Sequence, residues 1–543
     1  METGAVKSSQ ATASFALRPP RWVSALARLW TFLFFAICVA IPLAALGWRA
    51  AGAIAQLGDP SILATARATA VQAWLSVSVS ALIGIPAGLW LEARTRASER
   101  MSGWVSALLV LPAGVPTVVA ATSWVAWLGR SGYLSWMDLA YRLEAVIVAH
   151  VFYNAPWIAL LVFQARRQMP EAPLEAARQL GAGRWAAFQH VTWPRIRPAA
   201  LSACAQALAF CSMSFALVLI LGGGPPVETL ETALYSRVRF GQLDLAGATA
   251  CAFWEVVMTL IPWAAVVWFS RTARMEGVVT RPDPRTRSRP SAGVFSAANW
   301  ALALAAVGAS IPVLPYLVVF APGSIRAWGS ASFWGEILGP LRLSLALATG
   351  VGGFTLVTSS VAVLALSGLG GSGRGRAFSR ASSIALAFPG SVSALVLGLG
   401  GWFAYSRWVD PFAGSWVAIW LLQATLFFPV AYRILWPIAQ AGNRARLEGA
   451  VLLGASPARA FWLIDAARWR TPMIAVFALV TSAALGEVAA VSLFYSEDLI
   501  PLPLLVSRWM GQYRFEEARA VASLLFLLSA GITLVCAKEQ SHA

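Results

Sequence analysis

Lysine is almost missing: of 543 residues only Lys7 and Lys538 are lysine. Neither belongs to a Gly-x4-Gly-Lys-Ser/Thr phosphate loop, so the chain has no such nucleotide cradle. Any ATP-driven step would need a separate ATPase chain. Histidine is equally scarce, and His150, His190 and His542 are too scattered to make a histidine-based metal site. The five cysteines, Cys38, Cys204, Cys211, Cys251 and Cys536, sit inside apolar stretches and form no CxxC pair. They read as small packing residues, with no metal or redox role. Charged residues make up 12% of the chain, about half the ~25% of an ordinary soluble domain. Clustered histidines, cysteines or carboxylates of the kind an integral-membrane enzyme needs are lacking, and no catalytic residue is expected.

What the chain has instead is apolar mass. It is 58% hydrophobic, with a mean hydropathy of +0.68. The apolar stretches are apolar all round, which marks lipid-embedded helices. Lipid leaves only helices or closed barrels as spanning structures, and the stretches have helical length. The fold class is therefore all-α and polytopic. Spans are expected near 29–48, 70–91, 104–128, 145–164, 199–222 and 246–270, then 299–320, 343–367, 381–405, 414–435, 471–495 and 518–537. That makes about 12 transmembrane helices, six in each half.

The net charge of +17 does not indicate nucleic acid. Its arginines fall in short loops between spans, which the positive-inside rule explains. Arg94, Arg96 and Arg100, Arg166 and Arg167, and the run from Arg271 to Arg289 fall on one side with both termini. Both ends are expected in the cytoplasm. With an even number of spans per half, the two halves share one orientation and form a parallel repeat. The abundant tryptophans, many near span ends, read as interfacial anchors.

The repeat is visible in the letters. Leu174-Glu175-Ala176-Ala177-Arg178-Gln179-Leu180-Gly181-Ala182 returns 273 residues later as Leu447-Glu448-Gly449-Ala450-Val451-Leu452-Leu453-Gly454-Ala455. Phe188 and Phe461 keep the same frame, as do Pro156 with Pro429 and Pro116 with Pro389. These prolines lie in apolar stretches and predict matched kinks. The boundaries that follow are a tail at 1–28, a first repeat at 29–270 with a charged loop near 165–198, and a linker at 271–298. A second repeat occupies 299–537 with its loop near 436–470, and a tail closes the chain at 538–543. Each loop is long for a connection, and long loops tend to carry function. Helix formers run up to Gly181, which provides a helix stop. Trp185 to Phe188 predict a second short helix. The product is an elbow able to receive force from a soluble partner.

The two loops resemble the EAA loops of permease subunits in bacterial type I ABC importers. Residues 175–194 fit that pattern throughout, ending on Pro194. The second copy departs at Gly449 and carries Ala467 where proline is expected. The resemblance implies the type I ABC importer permease fold in a bacterial inner membrane. It implies two copies of an ABC ATPase subunit, which would carry ATP and magnesium, and an extracytoplasmic solute-binding protein. This chain would hold no cofactor, and its partners would include the lipid bilayer but no nucleic acid. Glu175, Ala176, Ala177, Gly181, Glu448, Gly449, Ala450 and Gly454 would be the ATPase-coupling residues.

Ser214 to Pro225, Thr229 to Tyr235, and Gly486-Glu487-Val488 with the stretch to Arg514 are similar to double-length permeases for thiamine and for ferric iron. Within the spans, Glu487 and Glu255 are costly to bury and read as pathway residues. By the repeat Glu487 pairs with Ser214, so the two are expected to face one pathway suited to a cationic solute. An ion-gradient-driven secondary transporter with two parallel six-helix halves also accounts for the span count and the repeat, but leaves the paired elbows unexplained.

Overall fold

The computed structural model describes residues 21–276 (without 97, 223, 225–226 and 241–242), 314–367, 381–408, 415–440, 449–450, 453–456, 459, 467–497 and 499–541. Glu448, most of the linker, most of the N-terminal tail and the start of the span expected at 299–320 lie outside them. Among the described residues the chain is helical, and its only β pairings are two isolated bridges, Gly224 with Val227 and Ser496 with Leu499.

In chain order, α1 is Trp22–Gly52 and α2 is Pro60–Thr95. They are followed by α3 (Glu99–Val110), α4 (Thr117–Leu128), α5 (Leu143–Gln168) and α6 (Ala172–Gln179). Then come α7 (Arg184–Ser212), α8 (Phe215–Gly222), α9 (Leu230–Arg239) and α10 (Leu245–Glu276). The second half continues with α11 (Pro322–Trp328), α12 (Ala331–Ser367), α13 (Ala381–Ser391), α14 (Ala394–Tyr405) and α15 (Trp416–Gln440). It ends with α16 (Ala467–Leu485), α17 (Ala489–Phe494), α18 (Leu502–Gly511) and α19 (Phe515–Ser541).

Among the described residues six helices are long and apolar enough to cross a bilayer, and up to eight if each of two bent pairs is one span. Part of the twelve expected spans, such as the start of 299–320, lies outside the described residues. Several apolar stretches that read as single spans are broken. The stretch 104–128 is interrupted by a 3-10 turn at Leu111–Gly114, after which Pro116 caps α4. At 12 residues α4 is only ~18 Å long, short of the ~30 Å hydrocarbon core. The α7–α8 pair bends by 55° and α13–α14 by 99°. Hydropathy is blind to such breaks, because the residues on either side are equally apolar.

The proline frame also needs correcting. The 3-10 turn at Leu111–Gly114 recurs at Phe388–Ser391, each followed by a 12-residue helix. Pro389 thus corresponds to Pro112, and Ser393 to Pro116. The spacing here is 277, not 273. A connection four residues shorter between α14 and α15 restores the 273 frame by Pro156 and Pro429, which both lie inside long helices.

Two compact units emerge. One comprises 1–48, 336–502 and 527–543, the other 49–335 and 503–526. In the first, α1 packs on helices of the second repeat. Phe34 joins Val351, Phe428, Tyr432, Val476 and Val480 in one buried cluster, with the Phe34 and Phe428 rings 5.4 Å apart. The Tyr405 hydroxyl donates to the Ile37 carbonyl at 2.8 Å. In the second unit the 3-10 segment Leu314–Phe320 packs beside α4: Trp127 Nε1 donates to the Pro315 carbonyl at 2.8 Å, and fully buried Tyr316 lies 6.1 Å from Tyr153. Each unit therefore takes its leading segment from the other half of the chain.

The centre of the second unit is the α2–α5 pair. Gly84 and Gly88 sit against the Ala155 and Ala159 carbonyls, where any Cβ would collide. This spacing of small residues lets two backbones approach closely, the main source of helix attraction in lipid. Ala73, Ala200, Ala203 and Ala207 extend the small-residue seam to α7.

Candidate functional site

The first elbow is built as its residues dictate. Leu174 is buried and anchors α6, whereas Glu175, Ala176 and Gly181 face outward. Glu175 lies in the first turn, where a carboxylate favours the helix N-terminus. The helix ends in a Schellman motif: Ala182 N–H bonds the Ala177 carbonyl and Gly181 N–H the Arg178 carbonyl, both at 3.0 Å. Gly181 stands at φ +81°, a left-handed conformation that glycine adopts without penalty.

The second elbow repeats this geometry where it is described. Gly454 has φ +88°, Ala455 N–H bonds the Ala450 carbonyl, and Leu453 N–H bonds the Gly449 carbonyl, both at 3.0 Å. Leu180 N–H bonds the Ala176 carbonyl in the same way. Gly449 thus keeps the backbone contact that Ala176 makes. Each turn also leaves one leucine in the open: Leu180 is 88% exposed and Leu453 91%.

The predicted second short helix is not separate. Trp185 and Phe188 stack with ring centroids 5.6 Å apart, and the chain runs on through a π turn at Phe188–Thr192 into the body of α7. The elbow is thus continuous with a membrane helix. Only Ala182 and Gly183 separate Gly181 from the start of α7.

Two of the three membrane residues lie at breaks, and Glu255 lies within α10. Ser214 occupies the bend between α7 and α8. Its Oγ is 2.8 Å from His150 Nε2. His150 Nδ1 lies 2.6 Å from Gln72 Nε2 and 3.2 Å from Ser76 Oγ. A buried polar chain thus runs from α2 through α5 to the break. Glu487 occupies the matching break between α16 and α17, where its Oε1 accepts from the N–H groups of Ala489 at 2.8 Å and Ala490 at 3.3 Å. It caps the short helix, meeting donors that a break leaves open. Gln423, which stands where His150 does in the repeat, donates to the Ala484 carbonyl at 3.5 Å. In each unit a polar side chain from the preceding long helix attends the break. Ser214 and buried Glu255 fall in one compact unit and Glu487 in the other.

Sequence reasoning passed over His150, Gln72 and Gln423, although a polar side chain inside an apolar span was the available signal. It also passed over a cluster beneath the first elbow. Arg96 pairs with Glu92 at 2.9 Å and with Glu171 at 3.0 Å, and Arg166 pairs with Glu171 at 2.8 Å. Burial raises the Glu171 carboxyl, but the hydrogen bond and charge of Arg166 and the charge of Arg96 outweigh it. Its pKa is held below the usual carboxylate range.

Residues 84–275, running from the small-residue seam of α2 through the first elbow to α10, match the family model of the binding-protein-dependent transport system inner membrane component. Over these residues the chain carries a domain of this family. Longer similarity extends across both halves of the permease. It is 27% identical over 437 residues to a thiamine transport system permease protein of Brucella abortus, covering 78% of each chain. It is 27% identical over 422 residues to that of Haemophilus influenzae, covering 76% of this chain and 75% of the relative. The counterpart in Escherichia coli is 26% identical over 424 residues, with 76% of each covered. The permease is a multi-pass membrane subunit of an ABC importer, a transport component and not an enzyme. Importers of this family work with an ATPase and a solute-binding protein.

Proposed function

We propose that this permease passes thiamine inward across the inner membrane by alternating access, with each elbow docked on one of two copies of an ATPase subunit. The observation that carries the reading is the pair of elbows. Both end on a left-handed glycine, Gly181 and Gly454, and both present an exposed leucine just before it. An exposed apolar side chain on a rigid turn suits a groove in a soluble partner. Thiamine is favoured over ferric iron because the relatives that span both halves are thiamine permeases.

In this reading Glu175, Ala176, Ala177 and Gly181, with Glu448, Gly449, Ala450 and Gly454, form the coupling surfaces. Both termini and both elbows are cytoplasmic, as the arginine placement supports. ATP and magnesium belong to the ATPase, and this chain carries no cofactor of its own. Glu487, Ser214 and Glu255 belong to the solute pathway, where carboxylates suit a cationic solute. The chain's contribution is mechanical: the ATPase pair closes, the elbows move, and the helices that continue from them re-orient.

The test is uptake into proteoliposomes containing the permease, its ATPase and its binding protein, with labelled thiamine and labelled ferric iron. ATP-dependent thiamine uptake, lost on Gly181→Asp and Gly454→Asp, is the expected outcome. Uptake of iron alone would overturn the solute. Uptake that ignores ATP would overturn the mechanism.

A further inference from the structure

Glu171 stands at the N-cap of α6, the first arm of the first elbow, yet its side chain does not cap that helix. A short carboxylate such as aspartate there would accept from free N–H groups of the first turn; the longer glutamate is free to reach elsewhere. Here it turns to Arg166, at the C-terminal end of α5, and to Arg96, just past the end of α2. Arg96 also grips Glu92 one turn back on α2. The group holds two arginines against two glutamates, so its charge is balanced. It is also largely shielded: the Glu92 and Arg166 side chains are only 4% and 7% exposed. In such surroundings the pairs are screened little by salt, and removing one partner strands the other.

The connectivity gives this cluster a mechanical meaning. The Glu171 carbonyl accepts from Glu175 N–H at 3.0 Å, so Glu171 is rigidly continuous with the coupling residue. Its carboxylate reaches the ends of the two helices joined along the Gly84–Gly88 seam. The second repeat lacks these partners in its sequence. Ala439 stands where Arg166 does, and Arg444 where Glu171 does. The second repeat therefore cannot form the same Arg166–Glu171 ion pair at these positions.

We propose that Glu171 is a positioning residue that transmits movement of the first elbow to α2 and α5 together, through its ion pairs with Arg166 and Arg96. The inference rests on the reading of the elbow as an ATPase contact. It assigns the first elbow a direct link to two helices besides α7, into which its own chain continues.

The experiment compares ATP hydrolysis with labelled thiamine uptake in proteoliposomes of the complete complex. In Glu171→Gln, ATP hydrolysis stays within about twofold of the parent, while solute moved per ATP falls about five- to tenfold. Arg166→Gln gives the same split, and Glu171→Asp, which keeps the charge, recovers most of the ratio. A role confined to holding the fold would lower hydrolysis, uptake and assembly together, and that outcome overturns the proposal. An unchanged ratio in Glu171→Gln overturns it as well. If Glu171→Gln does not assemble with the ATPase, Glu171→Asp and Arg166→Gln decide. A ratio preserved by the aspartate and lost in Arg166→Gln supports the link, and equal ratios in the two sink it. Failure of the parent complex to couple uptake to ATP would instead remove the underlying coupling reading.

Discussion

The two elbows have the same turn and different roots. Gly181 and Gly454 take the same left-handed conformation, and Leu180 and Leu453 are equally exposed. Beneath the first lies an ion-paired cluster on α2 and α5, while the second has Ala439 and Arg444 at the corresponding positions. The breaks in the membrane helices show the same divergence. Ser214 shares a hydrogen bond with a histidine, whereas Glu487 brings a carboxylate that caps its own short helix. Duplication preserves what the backbone requires, because a Schellman turn has few alternatives. Side chains at the matching positions are free to specialise.

The largest effect is expected where backbones touch. Gly88→Ala puts a Cβ into the Ala159 carbonyl, an overpacking that costs about 1–3 kcal/mol or more. Yield of folded protein and the melting temperature in detergent should drop sharply. Gly353, in α12, has open space around it, so Gly353→Ala should be harmless. Equal effects of the two would mean that the α2–α5 seam is not the close contact described.

Next comes the carboxylate at the second break. Glu487→Gln keeps an acceptor oxygen for Ala489 and Ala490, so assembly and melting should hold while thiamine uptake falls at least tenfold. Ser214→Ala removes only a hydroxyl and should lose about 1 kcal/mol of stability, with a smaller loss of uptake. Undiminished uptake in Glu487→Gln would reduce the carboxylate to a helix cap and remove the functional contrast between the breaks.

The elbows themselves are separated by Leu180→Asp and Leu453→Asp. Both side chains are exposed, so neither change should lower the melting temperature by more than a degree or two. Each should weaken retention of the ATPase during purification, the first more than the second. Loss of thermal stability instead would mean the leucines pack within the permease.

Acid gives a finer test of the first root. The Glu171 carboxyl has a lowered pKa in the folded protein, so the unfolded chain takes up its proton first as pH falls. Its stabilising contribution is present above the ordinary carboxylate value of about 4.3. It declines below that value and is gone once pH has passed the lowered one. The melting-temperature gap between the parent and Glu171→Gln should be widest near neutrality and close under acid. A gap independent of pH would show that the ion pairs contribute nothing beyond packing.

The smallest effect belongs to Gly353→Ala itself. A mid-helix glycine in open space costs helix stability, so alanine should add roughly 0.5–1 kcal/mol, visible as a slightly raised melting temperature.

The sequence determined the all-helical membrane character, because apolar mass and missing charge leave a chain no other way to satisfy its backbone in lipid. It also determined the elbows, since a run of helix formers stopped by glycine is a local instruction that needs no distant partner. The breaks at Ser214 and Glu487 were out of reach, because a bend between equally apolar residues leaves no mark on hydropathy. So was the true partner of Pro389, hidden by a connection four residues shorter in the second half. Tertiary structure alone decided that Gln72, His150 and Ser214 meet, and that Glu171 turns from its own helix to two arginines. It decided too that α1 packs with the second repeat while Leu314–Phe320 packs with the first. These are contacts between residues tens to hundreds of positions apart. They are chosen by which surfaces can close on one another, and local propensity carries no term for that choice.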